Sequence, residues 1–193
     1  MSRDNVKEFF DSISDSWDNA ADDFNIIDNL LEEVDIKEGM NVLDVACGKG
    51  VITPRLYDLS KKKVLAIDIS PKMIEGAKKK YDKNKNYEFI CGDFLKYPFK
   101  KRFDYVIIYN AYPHFLDEEK LKNKAYEVLC DKGKLVIMHS LGRKKLNEHH
   151  SSVLMISRLV DSADNEAMKY SDKFNVVKTI DEDDRYLIIL EKK

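Results

Sequence analysis

Short apolar runs alternate with longer amphipathic segments between residues 41 and 139 of this chain. Five of the apolar runs have the length and composition of buried strands: residues 41–46, 64–69, 87–91, 103–109 and 134–139. Three of the amphipathic segments are predicted helices: residues 51–59, 72–81 and 118–129. This rhythm predicts right-handed crossover units, and therefore a parallel sheet with helices on both faces.

The pattern changes after residue 140. Residues 143 to about 170 are predicted to be mostly helical, and residues 174–180 and 186–190 are two further predicted strands. The acidic turn at residues 181–184 is too short to hold a crossover helix, so these two strands are expected to form an antiparallel hairpin. The whole pattern predicts an α/β fold with a seven-stranded, mostly parallel sheet that ends in a C-terminal antiparallel hairpin.

Composition narrows the classes of partner. The net charge of −2 and the pI of about 6.1 give no global positive field, which argues against a nucleic-acid partner. The three cysteines are scattered, as is typical of reduced thiols in a cytosol. No apolar segment suited to export or to spanning a bilayer is found, so we expect a cytoplasmic protein that does not engage membranes.

The first predicted strand runs into a glycine turn, Gly48-Lys49-Gly50. Such a turn between a strand and a helix presents backbone N–H groups to a ligand, although it also occurs without one. Thr53 stands where a dinucleotide-binding pattern has its third glycine. Asp44 lies within the first strand, and Asp68 ends the second, where a carboxylate can accept both ribose hydroxyls. This set fits a nucleoside without a pyrophosphate better than a dinucleotide.

Five motifs in register resemble those of class I S-adenosylmethionine (SAM)-dependent methyltransferases, whose fold is Rossmann-like. Residues 44–50 (DVACGKG) resemble the first motif, and residues 66–74 (AIDISPKMI) resemble the second. The other three similar stretches are residues 91–94, 103–110 and 133–137. The similarity covers residues 41 to 139 in order and spacing, and the predicted hairpin also fits the family.

The resemblance implies a role for each matching position. Gly48 and Gly50 would pass beneath the methionine part of SAM, and Asp68 would bind the ribose. Around the adenine, the resemblance places Ile69, Met73, Asp93 and Phe94, with Asp93 at the amino group. Asn110 would lie beside the sulfonium and the acceptor. The full expected cofactor-binding set is Trp17, Ala46, Gly48, Gly50, Asp68, Ile69, Met73, Asp93, Phe94 and Asn110.

The N-terminal residues 9–18 are similar to the helix that covers the cofactor in ubiquinone and menaquinone methyltransferases. Phe10 and Trp17 are seven residues apart and would share one helical face. They would either cover the cofactor or only dock a terminal helix. We expect one domain over residues 1–193, with four segments: a helical cap (1–35), a cofactor-binding core (36–140), a helical insertion or lid (141–172) and the hairpin (173–193).

All four histidines fall between residues 114 and 150, near predicted strand ends where ligands gather in a parallel sheet. Three interpretations stay open. The histidines are surface groups on a lid helix, or His139 or His114 is a general base, or His114, His139 and His150 bind a divalent transition metal. No local ligand spacing supports the metal, so that interpretation depends on proximity in the fold.

The resemblance implies SAM as cofactor and methyl transfer to a small molecule, with the acceptor atom (oxygen, nitrogen or sulfur) open. The sequence Asn110-Ala111-Tyr112-Pro113 replaces the Asn-Pro-Pro-Tyr found in many methyltransferases of nucleic-acid amines, which counts against such a substrate. Two alternatives are a non-catalytic SAM-binding or regulatory protein and an RNA or protein methyltransferase.

Overall fold

The computed structural model describes residues 3–17 and 23–193. In this part of the chain the helices are α1 (Arg3–Ile13), α2 (Phe24–Val34), α3 (Thr53–Ser60), α4 (Pro71–Lys80), α5 (Glu118–Val128), α6 (Arg143–Ser151) and α7 (Ala163–Met168). The strands are β1 (Val42–Val45), β2 (Val64–Asp68), β3 (Tyr87–Cys91), β4 (Phe103–Tyr109), β5 (Leu129–His139), β6 (Phe174–Asp181) and β7 (Tyr186–Lys192). Two short 3-10 turns cover Ser14–Ser16 and Tyr112–His114.

The strands described here form one seven-stranded sheet in the order β3-β2-β1-β4-β5-β7-β6. Neighbours among β1 to β5 are parallel, whereas β7 lies antiparallel between β5 and β6. The order reverses between β1 and β4, and their carboxyl ends lie side by side there. The predicted fold class, including the antiparallel C-terminal hairpin, is confirmed.

Side chains on the two faces of the sheet enter two separate apolar clusters. In β4, Val106 and Ile108 belong to the cluster beneath α5, α6 and α7, whereas Tyr105 and Ile107 belong to the cluster beneath α2 and α3. This alternation follows from the two-residue period of a strand. Because both faces of β4 are buried, the strand had to be almost continuously apolar, which is how the sequence predicted it.

The helices begin where the sequence carries capping chemistry. The side chain of Ser70 accepts a hydrogen bond from the backbone N–H of Met73, and Pro71 occupies the first turn of α4. Pro54 likewise occupies the first turn of α3, so this helix begins at Thr53 rather than at the predicted residue 51.

The predicted helical lid is interrupted. Residues 152–162 separate α6 from α7 and form turns and irregular backbone. The side chain of Asn147 in α6 holds this stretch by two hydrogen bonds with Val160, at 2.8 Å to its N–H and 2.9 Å to its carbonyl oxygen. Hydrogen bonds of the Asn147 side chain thus take the place of helical backbone hydrogen bonds in this part of the lid.

The predicted cap of residues 1–35 divides into two parts with different positions. Helix α2 packs Ile27, Leu30 and Leu31 into the cluster on one face of the sheet. Helix α1 lies instead over the carboxyl ends of the strands, where its Asp11 Oδ1 accepts a hydrogen bond of 2.5 Å from Ser70 Oγ. Among the described residues of the cap, Arg3, Val6, Phe10 and Trp17 line the candidate site.

The start of α6 packs closely against the turn between β6 and β7. A Cβ atom at Gly142 would lie 2.1 Å from the carbonyl oxygen of Glu182, so no other residue fits there without moving backbone. Arg143 pairs with Asp181 at 2.9 Å beside this contact. In the part of the chain that the structure describes, no helix combines the length and apolar character that a membrane span requires.

Candidate active site

A cavity opens at the carboxyl ends of β1, β2 and β4, beneath α1. Its space, open mouth included, amounts to about 880 Å³, within the range of pockets that hold small molecules. Eight of the ten predicted cofactor-binding residues line it: Trp17, Ala46, Gly48, Asp68, Ile69, Met73, Phe94 and Asn110. The other lining residues are Arg3, Val6, Phe10, Asp44, Cys47, Lys49, Val51, Ile52, Ile67, Gly92, Tyr109, Ala111, His114 and Phe115.

The glycine turn brings backbone close to this cavity. Ala46, Gly48 and Gly50 have φ angles of 56°, 52° and 78°, in the left-handed region that favours glycine. Gly50 is not among the residues that line the cavity. Its Cβ position would lie 3.0 Å from the Phe89 ring, so Gly50 allows the turn to pack against β3.

Asp68 has the geometry of a binding carboxylate at the end of β2. Its Oδ2 accepts a hydrogen bond from the Gly48 N–H at 2.9 Å, and its Oδ1 accepts one from the Ser70 N–H at 2.8 Å. Burial raises the pKa of this carboxyl, while the two backbone hydrogen bonds oppose the shift. Each oxygen keeps a second lone pair for a donor in the cavity.

Asp44 contributes a second carboxylate from within β1. It is 1% exposed, and its Oδ2 accepts a hydrogen bond of 2.6 Å from Thr53 Oγ1. Burial raises its pKa from the ordinary 3.8 to about 7, the Thr53 bond opposes this, and the charge of Asp68 adds to it. The sequence analysis named both Asp44 and Thr53 but did not predict the hydrogen bond between them.

Asp93 lies just behind the cavity wall, since Gly92 and Phe94 line the cavity and Asp93 does not. Its Oδ1 accepts hydrogen bonds from the Leu95 N–H at 3.1 Å and from Arg3 Nε at 3.3 Å. Its Oδ2 is buried and has no hydrogen-bond partner among the residues described. An unpaired buried acceptor is costly, so this oxygen suits a ligand N–H donor.

Helix α1 and the 3-10 turn after it cover the cavity. Arg3 donates a hydrogen bond from Nη1 to the His114 carbonyl oxygen at 3.1 Å, in addition to its bond with Asp93. Phe10 and Trp17 have ring centroids 5.8 Å apart. Trp17 follows the 3-10 turn, so the two rings meet without sharing one helical face as predicted. The sequence gave no sign of the role of Arg3.

His114 is the histidine that lines the cavity. Its Nδ1 lies 3.1 Å from the carbonyl oxygen of Ile156. A carbonyl only accepts hydrogen bonds, so we assign the proton to Nδ1, which leaves the lone pair on Nε2. Burial lowers the pKa of this ring from 6.5 to about 4. The ring also meets Phe10 of α1, with centroids 4.9 Å apart.

His139 does not lie where the general-base prediction requires it. The side chain is 0% exposed, does not line the cavity and has two ring nitrogens without a hydrogen-bond partner in the described part of the chain. Burial, the largest cause, lowers its pKa to about 3. The interpretation of a surface group on the lid helix fits His149, which is exposed on α6.

The predicted metal site of His114, His139 and His150 finds no support. Over residues 3–17 and 23–193, no group of three or more His, Cys, Asp or Glu side chains has an arrangement that could hold a metal ion. His114 and His150 do approach each other, with ring centroids 5.0 Å apart. Each commits Nδ1 to a carbonyl oxygen, Ile156 for His114 and Leu146 for His150, which explains their contact without a metal.

A buried ionic network that the sequence did not predict holds the lid beside His114. Glu166 is 1% exposed and receives two bonds from Arg158, at 2.9 and 3.0 Å. Tyr112 donates to the same carboxylate at 2.8 Å, and Tyr170 donates to Tyr112 at 3.3 Å. The Arg158 N–H donates to the carbonyl oxygen of Pro113, next to His114, at 2.9 Å.

Comparison with known families gives a match over most of the chain. The family model described as a methyltransferase domain matches residues 36–188. A malonyl-[acyl-carrier protein] O-methyltransferase of Ilyobacter polytropus is 26% identical over 175 residues, which are 88% of this chain and 61% of the relative. A demethylmenaquinone methyltransferase of Lactococcus lactis is 30% identical over 154 residues, 72% of this chain and 60% of the relative. The chain thus spans less than two thirds of either relative.

Solved structures agree on the fold. A SAM-dependent methyltransferase from Aquifex aeolicus superposes with a TM-score of 0.71 at 20% identity, and the match covers 100% of both chains. At that identity the likeness concerns the fold alone. It confirms the Rossmann-like, seven-stranded architecture, and together with the family match it confirms the resemblance to class I SAM-dependent methyltransferases.

Proposed function

Because this chain belongs to the methyltransferase domain family, we propose that it transfers a methyl group from SAM to a small-molecule acceptor bound beside His114. The observation that carries the proposal is the carboxylate of Asp68, which lines the cavity at the end of β2 with both oxygens oriented by backbone N–H groups. A carboxylate held in this way accepts paired hydroxyl donors such as those of a ribose.

Other groups in the cavity wall and just behind it fit the same ligand. The unpartnered Asp93 Oδ2 suits an amino group, and Ile69, Met73 and Phe94 supply an apolar surface for a flat ring. The left-handed Ala46 and Gly48 bring the backbone of the glycine turn to the cavity wall. These residues together would hold a nucleoside that carries an amino acid.

The reaction is an in-line displacement, for which alignment and exclusion of water matter most. Bound SAM would supply a methyl group on a positively charged sulfur. The chain's own part is to close the cavity with Phe10 and Trp17 and to present the acceptor from the wall formed by Tyr109, Asn110 and His114.

His114 orients the acceptor in this proposal. The lone pair on Nε2 accepts a hydrogen bond from the acceptor's O–H or N–H. A pKa of about 4 makes the ring a weak base, so its contribution is orientation rather than storage of a proton through the reaction. His139 has no such access, and we therefore assign it no part in the transfer.

A small acceptor is supported by the enclosure of the cavity. Helix α1 lies over it, and Ala111 and Phe115 add apolar wall near His114. The relatives act on different acceptors by name, a malonyl group on acyl-carrier protein in one case and demethylmenaquinone in another. Family membership therefore leaves the acceptor open, and the geometry favours a partly apolar molecule with one O–H or N–H group.

Substitution of Asp68 tests the cofactor role. In Asp68→Ala, the affinity for S-adenosylhomocysteine measured by calorimetry should fall at least about tenfold, because two charge-assisted hydrogen bonds are lost. Asp58→Ala, which removes an exposed carboxylate from α3 outside the cavity, is the matched control and should bind as the wild type does. Circular dichroism checks that both variants fold. Equal affinity in all three proteins would refute the role of Asp68.

Label transfer separates catalysis from mere binding. Incubation with methyl-labelled SAM and fractionated metabolites should move label into a small-molecule fraction. Binding of S-adenosylhomocysteine without any transfer would favour the non-catalytic SAM-binding alternative. Transfer only to RNA or protein, with an affinity that falls with salt in the case of RNA, would favour the macromolecular alternative.

A further inference from the structure

Lys49, the middle residue of the glycine turn, connects the cavity to the helical cap. It lines the cavity, and its Nζ donates a hydrogen bond of 3.2 Å to the carbonyl oxygen of Trp17. Trp17 also lines the cavity, directly after the 3-10 turn that follows α1. Lys49 thus belongs to the cavity wall and is bonded through its ammonium to the backbone of a second lining residue.

The chain makes room for this lysine at one place. A Cβ atom at Gly76, on α4, would lie 3.1 Å from Lys49 Cε and 3.2 Å from both Cδ and Cγ. The stem of Lys49 therefore runs across the bare backbone of Gly76 on its way to Trp17. A glycine within a helix lowers helix stability, and here it allows the close approach of the lysine.

The charges of the cavity leave the Lys49 ammonium available. The other cation in the wall, Arg3, is paired with Asp93 and bonded to the His114 carbonyl. Within residues 3–17 and 23–193, Lys49 is bonded to the neutral Trp17 carbonyl and to no carboxylate. Since Asp68 and Asp93 serve donors at the nucleoside end, an anionic group of the ligand finds its complement at Lys49.

We infer that Lys49 binds the carboxylate of the ligand's amino-acid end while it holds the Trp17 carbonyl, and so closes the cap on ligands that carry that carboxylate. The inference rests on the proposed function, which supplies the ligand. An ammonium has three donors and can serve both acceptors at once. Lys49 then determines specificity, because a nucleoside without the amino acid gains nothing from it.

Two ligands and one built-in reporter test this inference. S-adenosylhomocysteine carries the amino-acid carboxylate, and 5′-methylthioadenosine lacks the whole amino-acid end. Trp17 is the one tryptophan of the sequence, so the protection of its fluorescence from acrylamide quenching reports closure of the cap. Affinity for both ligands is measured by calorimetry on the same full-length samples.

In Lys49→Met, which keeps an unbranched apolar stem, the affinity for S-adenosylhomocysteine should fall about tenfold, while that for 5′-methylthioadenosine should stay within about twofold. The protection of Trp17 by S-adenosylhomocysteine should be lost as well. Lys79→Met, an exposed lysine of the same α4 helix outside the cavity, should change none of these values.

Gly76→Ala gives an independent perturbation that leaves the lysine intact. The added methyl group displaces the Lys49 stem, so the preference for S-adenosylhomocysteine should weaken in the same direction although the helix itself gains propensity. Equal losses for both ligands in Lys49→Met, or no loss for either, would overturn the inference and leave the proposed function intact. Failure of the wild type to bind S-adenosylhomocysteine would overturn both.

Discussion

The two ends of the cavity satisfy their polar groups in opposite ways. The donor end is the part of the cavity where we propose that the methyl donor binds. There Asp68 is held by backbone N–H groups, and a buried oxygen of Asp93 still lacks a partner in the described chain. The acceptor end, where we propose that the acceptor binds, comprises His114 and the lid behind it; there Glu166, Arg158 and Tyr112, which lie outside the cavity lining, bind one another. The donor end therefore has hydrogen-bonding capacity to offer a ligand, whereas the acceptor end spends most of its capacity on holding the lid.

The two ends also differ in how far apart in sequence their contacting residues lie. At the donor end, the hydrogen bond between Gly48 and Asp68 joins two short motifs that the sequence shows, whereas the bond from Arg3 to Asp93 spans 90 positions and was not predicted. The acceptor contacts join residues far apart in sequence: Tyr112 to Glu166 across 54 positions, and His114 to Ile156 across 42. Contacts of the first kind can be recognised from local motifs, whereas contacts of the second kind depend on how distant parts of the chain pack.

Glu166→Gln should produce the largest effect, a loss of stability that leaves ligand binding at the donor end unchanged. The change leaves the Arg158 charge without its buried partner, so the free energy of unfolding should fall by about 4 kcal/mol. Denaturant unfolding measures this loss. The affinity for S-adenosylhomocysteine should stay within about twofold, because no contact of Asp68 changes.

The matched control is Glu118→Gln, which removes a half-exposed partner of the same Arg158. It should cost less than about 1 kcal/mol, as exposed ion pairs do. A large loss of cofactor affinity in Glu166→Gln would show that the two ends are not independent.

Asp44→Asn should reveal a pH dependence that belongs to the donor end. Folding raises the pKa of Asp44 from 3.8 to about 7, so between these values the native state holds a proton that the unfolded chain has released. Stability is then lost as the pH rises through this window. From about pH 5 to about pH 7 the wild type should lose about 2 kcal/mol that the variant keeps.

Denaturant unfolding of both proteins at the two pH values checks this difference. Asparagine keeps an oxygen for the Thr53 hydroxyl, so the hydrogen bond is matched. Parallel pH curves for the two proteins would contradict the assigned pKa.

His114→Ala should have the smallest free-energy effect and act only on turnover. Loss of the orienting hydrogen bond should lower kcat about tenfold, which corresponds to about 1.4 kcal/mol, with the affinity for S-adenosylhomocysteine unchanged. Since the ring is neutral above about pH 4, the wild-type kcat should show no step near pH 6.5 from this group. His149→Ala, on the exposed side of α6, is the control, and an equal loss there would remove the special role of His114.

The sequence predicted the fold class and most of the donor end, because both depend on local patterns. Strand β4 was recognisable from a continuous apolar run, and Asp68 from its place after a strand. The role predicted for Gly50 stays a prediction, since Gly50 lies outside the cavity lining and its missing side chain allows packing against Phe89. The roles of the remaining cofactor residues stay predictions that the cavity accommodates.

The acceptor end could not be predicted in the same way. Residues 143 to about 170 were predicted to be mostly helical, but the side chain of Asn147 holds an irregular stretch of backbone by hydrogen bonds that no periodicity shows. His114 and His150 do lie near each other, yet whether a ring faces a cavity or the core depends on the packing of distant elements. That is why His114 and His139, both placed after strand ends, differ so much in access.

The contact between Gly142 and the hairpin turn has a consequence for engineering. Because the backbone at Glu182 fills the place of a side chain at Gly142, the start of α6 packs correctly only against a hairpin turn of this shape. Tyr186 strengthens this union by donating a hydrogen bond to the Asp161 carbonyl. A chimaera designed to borrow another relative's acceptor should therefore exchange residues 141–193 as one cassette, rather than the lid alone.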